Sequence, residues 1–509
     1  MSSFLFQLEK SPSPLRRKPW QIFRAWVKDE FVLQKLHSPI GYLIFLVMAY
    51  AVSWLIGHHG WIAASRLIVA VVLIPCLIGA VFHTRFGLGI LLIFSFIHPL
   101  FDRMRVDLPM GYFIDMAIWL LLFGILVKRS QAIHRIYYFE PIAFMILLWI
   151  TFCFLELLNP WGPSAEAWAY AVRDIAEYTL LFFAALYGFR KLEHIQWMAG
   201  IWIVMATLGA IYGLVQEWAA FTEFEWNWLL EDYDHFESVY TADRLRKFSF
   251  FSGPASFGIL MGITSLFCLI LIIEAKLSLA IRIILGCCAI LMLLGMLYSG
   301  TRTAFLILPA GFGFLMLLHL SKRLWISGLL MGVVASLLLW VLPIENASIE
   351  RMKSAFRPQE AASFQVRMEN QDYVQPYIMD HPIGGGVGST GNWGEQFAPH
   401  TLLSMFPPDS GYVRIAVEMG SVGLAIYLLM MFAALAVGVR AFFRMKDPNL
   451  RAWLLAFLGV IFALVLANYP QQALTQLPIG FLFFYSLASV VRLKRLSAEH
   501  MHATPDLRT

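Results

Sequence analysis

The sequence predicts an all-α, polytopic membrane protein of about fourteen transmembrane helices, with a large extracytoplasmic loop that contains short helices. Three observations predict it. Of the 509 residues, 59% are hydrophobic and only 14% are charged, and the mean hydropathy is +0.69. A water-soluble globular chain carries about 25% charged residues, so this one cannot clothe a water-facing surface. Apolar runs long enough to cross about 30 Å of hydrocarbon recur along the chain. Lys and Arg collect in alternate connections between those runs, which is the positive-inside pattern.

The elements follow in order. Residues 1–38 form a basic tail with Lys10, Arg16, Arg17, Lys18, Arg24, Lys28 and Lys35, which places it in the cytoplasm. The first apolar run begins near Ile40, too late and too long for a signal-peptide core, so no cleavable signal is expected. Spans are expected near 40–57, 61–82, 86–100, 111–128, 140–157, 170–189, 196–218, 255–274, 280–298, 303–320, 324–342, 411–439, 452–468 and 474–491. Alternate connections then carry Arg85; Lys128, Arg129 and Arg135; Arg190 and Lys191; Lys276 and Arg282; Lys322 and Arg323; and Arg440, Arg444, Lys446 and Arg451. Arg492, Lys494 and Arg495 follow the last span, and an even count returns both termini to the cytoplasm. The organisation is therefore a bundle over 39–342 with an outer segment at about 219–254, a large periplasmic loop over 343–410, C-terminal helices over 411–492, and a cytoplasmic tail over 493–509 whose last dozen residues read as disordered. Such a distribution puts the two long segments, and any active site they form, on the extracytoplasmic side of the membrane.

The five cysteines (Cys76, Cys153, Cys268, Cys287 and Cys288) all lie in apolar stretches, so neither a disulfide framework nor a thiolate metal site is expected. No Walker A sequence, no HExxH and no Cys/His cluster occurs. Gly386, Gly388 and Gly391 match a dinucleotide fingerprint, but a βαβ unit is missing around them, and they read as a tight turn with close backbone approach. No cofactor, metal or nucleic acid is expected.

Several arginines break the positive-inside rule. Arg244, Arg246 and Lys247 end the first long outer segment, Arg302 starts a helix after a tight turn, and Arg351, Lys353, Arg357 and Arg367 lie in the second. A guanidinium presents a planar fork of donors suited to phosphate, and two or three can clamp a diphosphate; anchoring to lipid phosphates or ion pairing would also hold them there. Arg173 and Glu177 stand four apart in the sixth span, as an internal ion pair or as ligand contacts. Asp409 sits where a helix cap is expected and could also act as a general base, with His400 as a second candidate base. The aromatic and acidic stretch from Phe221 to Tyr233 fits an amphipathic helix lying in the membrane interface.

Four stretches, in this order, resemble the O-antigen ligase and polysaccharide polymerase family of membrane glycosyltransferases. They are Arg246-Lys-Phe-Ser-Phe-Phe251-Ser-Gly-Pro254; Ser299-Gly-Thr-Arg302-Thr-Ala304; Arg367 followed by Asp380-His-Pro382-Ile-Gly-Gly-Gly386-Val-Gly388; and Asp409-Ser-Gly-Tyr412 running to Glu418-Met-Gly420. Together they cover roughly 200–440. The resemblance implies a glycan donor on undecaprenyl diphosphate, held by Arg246, Arg302 and Arg367, and an acceptor that is a glycan or lipid A-core. It implies metal-independent, inverting transfer with Asp409 as base. Ligase members typically carry a His where this sequence has Asp409, which points to a polymerase-type member or to a ligase with a carboxylate base. About two helices more than the usual family core are expected, at the N-terminal end. A transporter or flippase of lipid-linked saccharides is the alternative reading; the missing internal repeat and the one-sided charges speak against it.

Overall fold

The computed structural model describes residues 39–104, 110–127, 140–241, 244–318, 322–336 and 362–503. Arg351, Lys353, Arg357, Lys128, Arg129, Arg135 and the tail 1–38 lie outside the described residues. The described chain is helical, apart from an isolated bridge between Tyr240 and Leu245.

α1 (Pro39–Phe82) carries the first two expected spans and bends at Gly60, where φ is +60°. α2 (Thr84–Arg103) and α3 (Met110–Val127) pack against it. α4 (Pro141–Leu155) opens on proline, whose fixed φ suits a first helical position.

The span expected over 170–189 is not one helix. α5 (Ala165–Ile175) starts at Ser164, whose hydroxyl accepts from the amides of Glu166 and Ala167. A 3-10 turn over Glu177–Thr179 interrupts it, and α6 (Leu180–Gly188) follows. The Thr179 hydroxyl donates to the Ala176 carbonyl at 2.5 Å, a local bond that competes with the helical ladder.

α7 (Leu192–Trp218) leads into two short helices, α8 (Glu223–Glu231) and α9 (Tyr233–Val239). The stretch expected as one amphipathic helix over 221–233 is divided between these two. Phe221 and Leu229 pack with Val239 and Phe248, while Leu230 and Tyr233 stay exposed. Arg103 fastens this segment to the end of α2: its guanidinium lies over the rings of Trp228 (4.7 Å) and Phe248 (4.2 Å) and donates to the carbonyls of Ser249 (2.7 Å) and Phe251.

α10 (Pro254–Glu274), α11 (Leu279–Ser299), α12 (Arg302–Leu318) and α13 (Lys322–Ser336) continue the bundle. In the second long segment, residues 362–410 contain α14 (Ala362–Asp380) and α15 (Gly391–Phe397). α16 (Gly411–Arg444), α17 (Pro448–Ala467) and α18 (Ile479–Ala503) complete the chain. α18 runs into the tail expected from 493. Its basic end is fixed by contacts: Lys494 reaches Glu140 at 2.9 Å and Arg492 donates to the Arg190 carbonyl at 2.8 Å.

Among the described residues seven helices are long and apolar enough to cross a membrane: α2, α4 with its 3-10 extension to Leu158, α7, α10, α11, α16 and α17. Three shorter apolar stretches, Leu46–His58, Gly111–Val127 and Arg302–Leu318, accompany them. The protein is a multi-pass membrane protein. Most of the other expected spans fall on helices that are bent, broken or shorter within the described residues, while the last falls on α18, a 25-residue helix whose second half turns polar and basic. α10 and α17 form the centre, with 83% and 78% of their most apolar windows buried, against 28% for α11 at the periphery. α10 packs against α11, α12 and α17, so the end at which it begins, at Pro254, gathers several helix termini.

Candidate active site

The first two motifs form one unit. Arg246 donates from Nε to the Ser299 carbonyl (2.9 Å) and from a terminal nitrogen to Thr301 Oγ1 (2.8 Å). Thr301 Oγ1 donates onward to the Pro254 carbonyl at 2.8 Å. The turn they hold exists because α11 stops at Gly300, whose left-handed φ of +59° suits glycine. On its far side α12 begins at Arg302. The neighbouring cations are engaged within the fold: Arg244 pairs with Glu217 of α7, and Lys247 reaches the same carboxylate at 3.4 Å.

Arg302, at the start of α12, lies within range of the positive charge of Arg367 on α14. Arg367 in turn stands 3.8 Å from Asp409, Nε to Oδ2. The structure thus links Arg246, Arg302, Arg367 and Asp409 in sequence at one end of the bundle. They come from four places in the chain.

Asp409 is not the cap of α16. Ser410 is, its hydroxyl accepting from the Val413 amide at 3.3 Å. The Asp409 amide closes on the Pro407 carbonyl at 2.9 Å, and its carboxylate is left half exposed in a small pocket lined by Arg367, Asn370, Gln371, Phe406 and Val413. A serine in the next position has taken the capping duty, so this carboxylate keeps its acceptor capacity.

Two candidates sit elsewhere. His400 is exposed in the turn after α15 and does not line this pocket. Arg173 lies on α5 and pairs with Asp115 of α3 at 3.0 Å, with its guanidinium over the Tyr112 ring. The expected pairing with Glu177 is replaced by this one, because the helix breaks at Ala176 and the four-residue spacing no longer sets one face.

The glycine-rich turn has a structural task. α16 bends at Gly420, where φ is +66°. The bend opens the helical ladder, and the turn inserts into it. Gly385 donates to the Val417 carbonyl (2.9 Å), Gly386 to the Glu418 carbonyl (2.8 Å), and the Val422 amide bonds instead to the Pro382 carbonyl (3.1 Å). Three backbone groups at the bend thus find partners in the turn. This is the close approach expected of those glycines.

Sequence reasoning missed the polar network beneath. Glu418 is fully buried, accepting from Thr390 Oγ1 at 2.6 Å and from Arg414 Nε at 3.2 Å. Arg414 donates to Gln472 at 3.0 Å, and Gln472 donates to the Pro408 carbonyl, next to Asp409. A signal was present: Arg414 and Glu418 stand four apart in an apolar helix, where charges at membrane depth occur in pairs. Gln472 carried none, because its distance in sequence hides its partner.

Among the described residues no group of three or more His, Cys, Asp or Glu is placed to hold a metal ion.

Residues 287–428 match the family model described as O-antigen ligase. The resemblance to that family holds. No curated protein matches the chain. The matched stretch takes in Arg302, Arg367, the glycine turn, Asp409 and Gly420, and leaves out Arg246. Similarity to the O-antigen ligase model in a multi-pass membrane protein supports a role in glycan transfer at the membrane.

Proposed function

We propose that the protein transfers or polymerises glycan from an undecaprenyl-diphosphate-linked donor onto a sugar hydroxyl, on the periplasmic face of a bacterial inner membrane. The observation that carries this reading is the convergence of Arg302, Arg367 and Asp409 at one end of the bundle, inside the stretch that resembles O-antigen ligases. Two guanidiniums held near each other repel, and an anionic ligand between them relieves the repulsion. A diphosphate fits, since each guanidinium can offer it a two-pronged contact.

The chemistry follows. The acceptor hydroxyl attacks the anomeric carbon of the donor sugar as the bond from that carbon to the diphosphate oxygen breaks. Asp409 takes the hydroxyl proton. Arg302 and Arg367 stabilise the charge that gathers on the departing diphosphate. Arg246 acts through the turn that aims Arg302. Direct displacement inverts the anomeric centre. The guanidiniums supply the positive charge, so no metal is needed. The acceptor is a glycan or lipid A-core.

The test is the glycan profile of a strain lacking the protein, complemented with wild type or with Arg302→Ala. Long chains that stay on the lipid carrier and never reach their acceptor mark a ligase. Single repeat units alone mark a polymerase. An unchanged profile after deletion would sink the proposal.

A further inference from the structure

α14 presents one stripe to α16 and to the segment before it. Val374, Tyr377 and Ile378 pack with Leu403, Phe406, Val413 and Val417, which fixes the helix. Arg367, Asn370 and Gln371 precede Val374 at spacings of three and four, so they continue the same face. The stripe turns from apolar to polar where it reaches Asp409, and there it walls the pocket.

The two amides are the unexplained part. Arg367 has Asp409. Asn370 and Gln371 are half-buried, and neither makes a hydrogen bond to another described residue. Their amide atoms open into the pocket and are not sealed in the core, so both remain available to a ligand that enters it. An amide offers a donor and an acceptor together, and so does a sugar hydroxyl. Neutral amides also match a neutral ring better than a phosphate, for which the arginines serve.

We infer that Asn370 and Gln371 form the acceptor-sugar subsite, where their amides hold hydroxyls next to the one that Asp409 deprotonates and so select which saccharide is accepted. The inference rests on the transfer reading above and adds to it the residues that recognise the acceptor. Donor and acceptor then meet across Asp409: arginines on the diphosphate side, amides on the sugar side.

The test uses the full-length protein in nanodiscs. Binding of two probes, the core oligosaccharide and the repeat-unit oligosaccharide of the encoding strain, is followed by saturation-transfer NMR without donor. Transfer kinetics are then measured with donor and acceptor varied separately. Asn370→Ala and Gln371→Ala are each expected to weaken binding of one probe about tenfold. They should raise the acceptor KM similarly while leaving the donor KM and the melting temperature near wild type. Val374→Ala provides the contrast, lowering the melting temperature without a selective change in acceptor KM. Unchanged affinity for both probes, no wild-type binding of either, or a shift confined to the donor KM overturns the subsite. If wild type binds a probe through these amides yet never transfers glycan, the subsite stands and the transfer reading falls. If wild type transfers and both variants keep its acceptor KM, the reverse holds.

Discussion

At the scale of single residues, the chemistry depends on what each polar group has left after the fold has used it. Arg246 uses Nε on Ser299 and a terminal nitrogen on Thr301, so it acts as a brace for Arg302. Arg302→Ala is expected to cut transfer by about a hundredfold or more, the usual loss when a preorganised charge donor is removed, with expression unchanged. Arg302→Lys should restore less than a tenth of the loss, because a point charge cannot make the two-pronged contact; near-normal activity in the lysine variant would remove the clamp from the mechanism. Gln472→Leu leaves the Pro408 carbonyl and one Arg414 donor unmet, at about 1–3 kcal/mol for the stranded groups. It should lower kcat several-fold with little change in donor KM, because it loosens the backbone beside Asp409 and touches no diphosphate contact. Equal loss in kcat and donor KM would mean that Gln472 serves the donor site.

At the scale of elements, the site is made where helices stop or bend. α11 ends at Gly300 to launch Arg302, α16 is capped by Ser410 to release Asp409, and the Gly420 bend receives the glycine turn. Gly420→Ala would place a Cβ 2.5 Å from the Gly384 amide in a backbone region that disfavours side chains. Strain of that kind costs about 1–3 kcal/mol before the clash is counted. The variant is expected to melt lower in detergent and to lose activity, and a wild-type melting temperature would show that the turn does not seat on the bend. The elements also show where periodicity misled. The 170–189 run is apolar enough to read as one span, yet it breaks into a 3-10 turn over Glu177–Thr179, and the Arg173–Glu177 spacing lost its meaning with the helix.

At the scale of the whole molecule, α10 separates the two ends. Its start carries Pro254 and the arginine unit, and its 21 residues put Lys276 about 30 Å away. Cysteine labelling with a membrane-impermeant maleimide should therefore modify His400→Cys in intact cells, and Lys276→Cys only after lysis, each measured above the wild-type background from exposed Cys287. Labelling in the opposite order would invert the proposed orientation. The C-terminal helix ties distant parts of the chain together: Lys494 and Arg495 both reach Glu140, far away in sequence.

Composition and spacing by themselves determined the helical class, the membrane setting and the four motifs with their order, because hydropathy and turn chemistry are local properties written into neighbouring residues. They also singled out Arg246, Arg302, Arg367 and Asp409. Only the tertiary structure decided that these four are linked in space, that Ser410 caps the helix in place of Asp409, that Arg173 answers Asp115, and that Asn370 and Gln371 wall the pocket. Each of those outcomes depends on partners brought together from separate helices, and a single sequence carries no signal of which buried polar groups will meet.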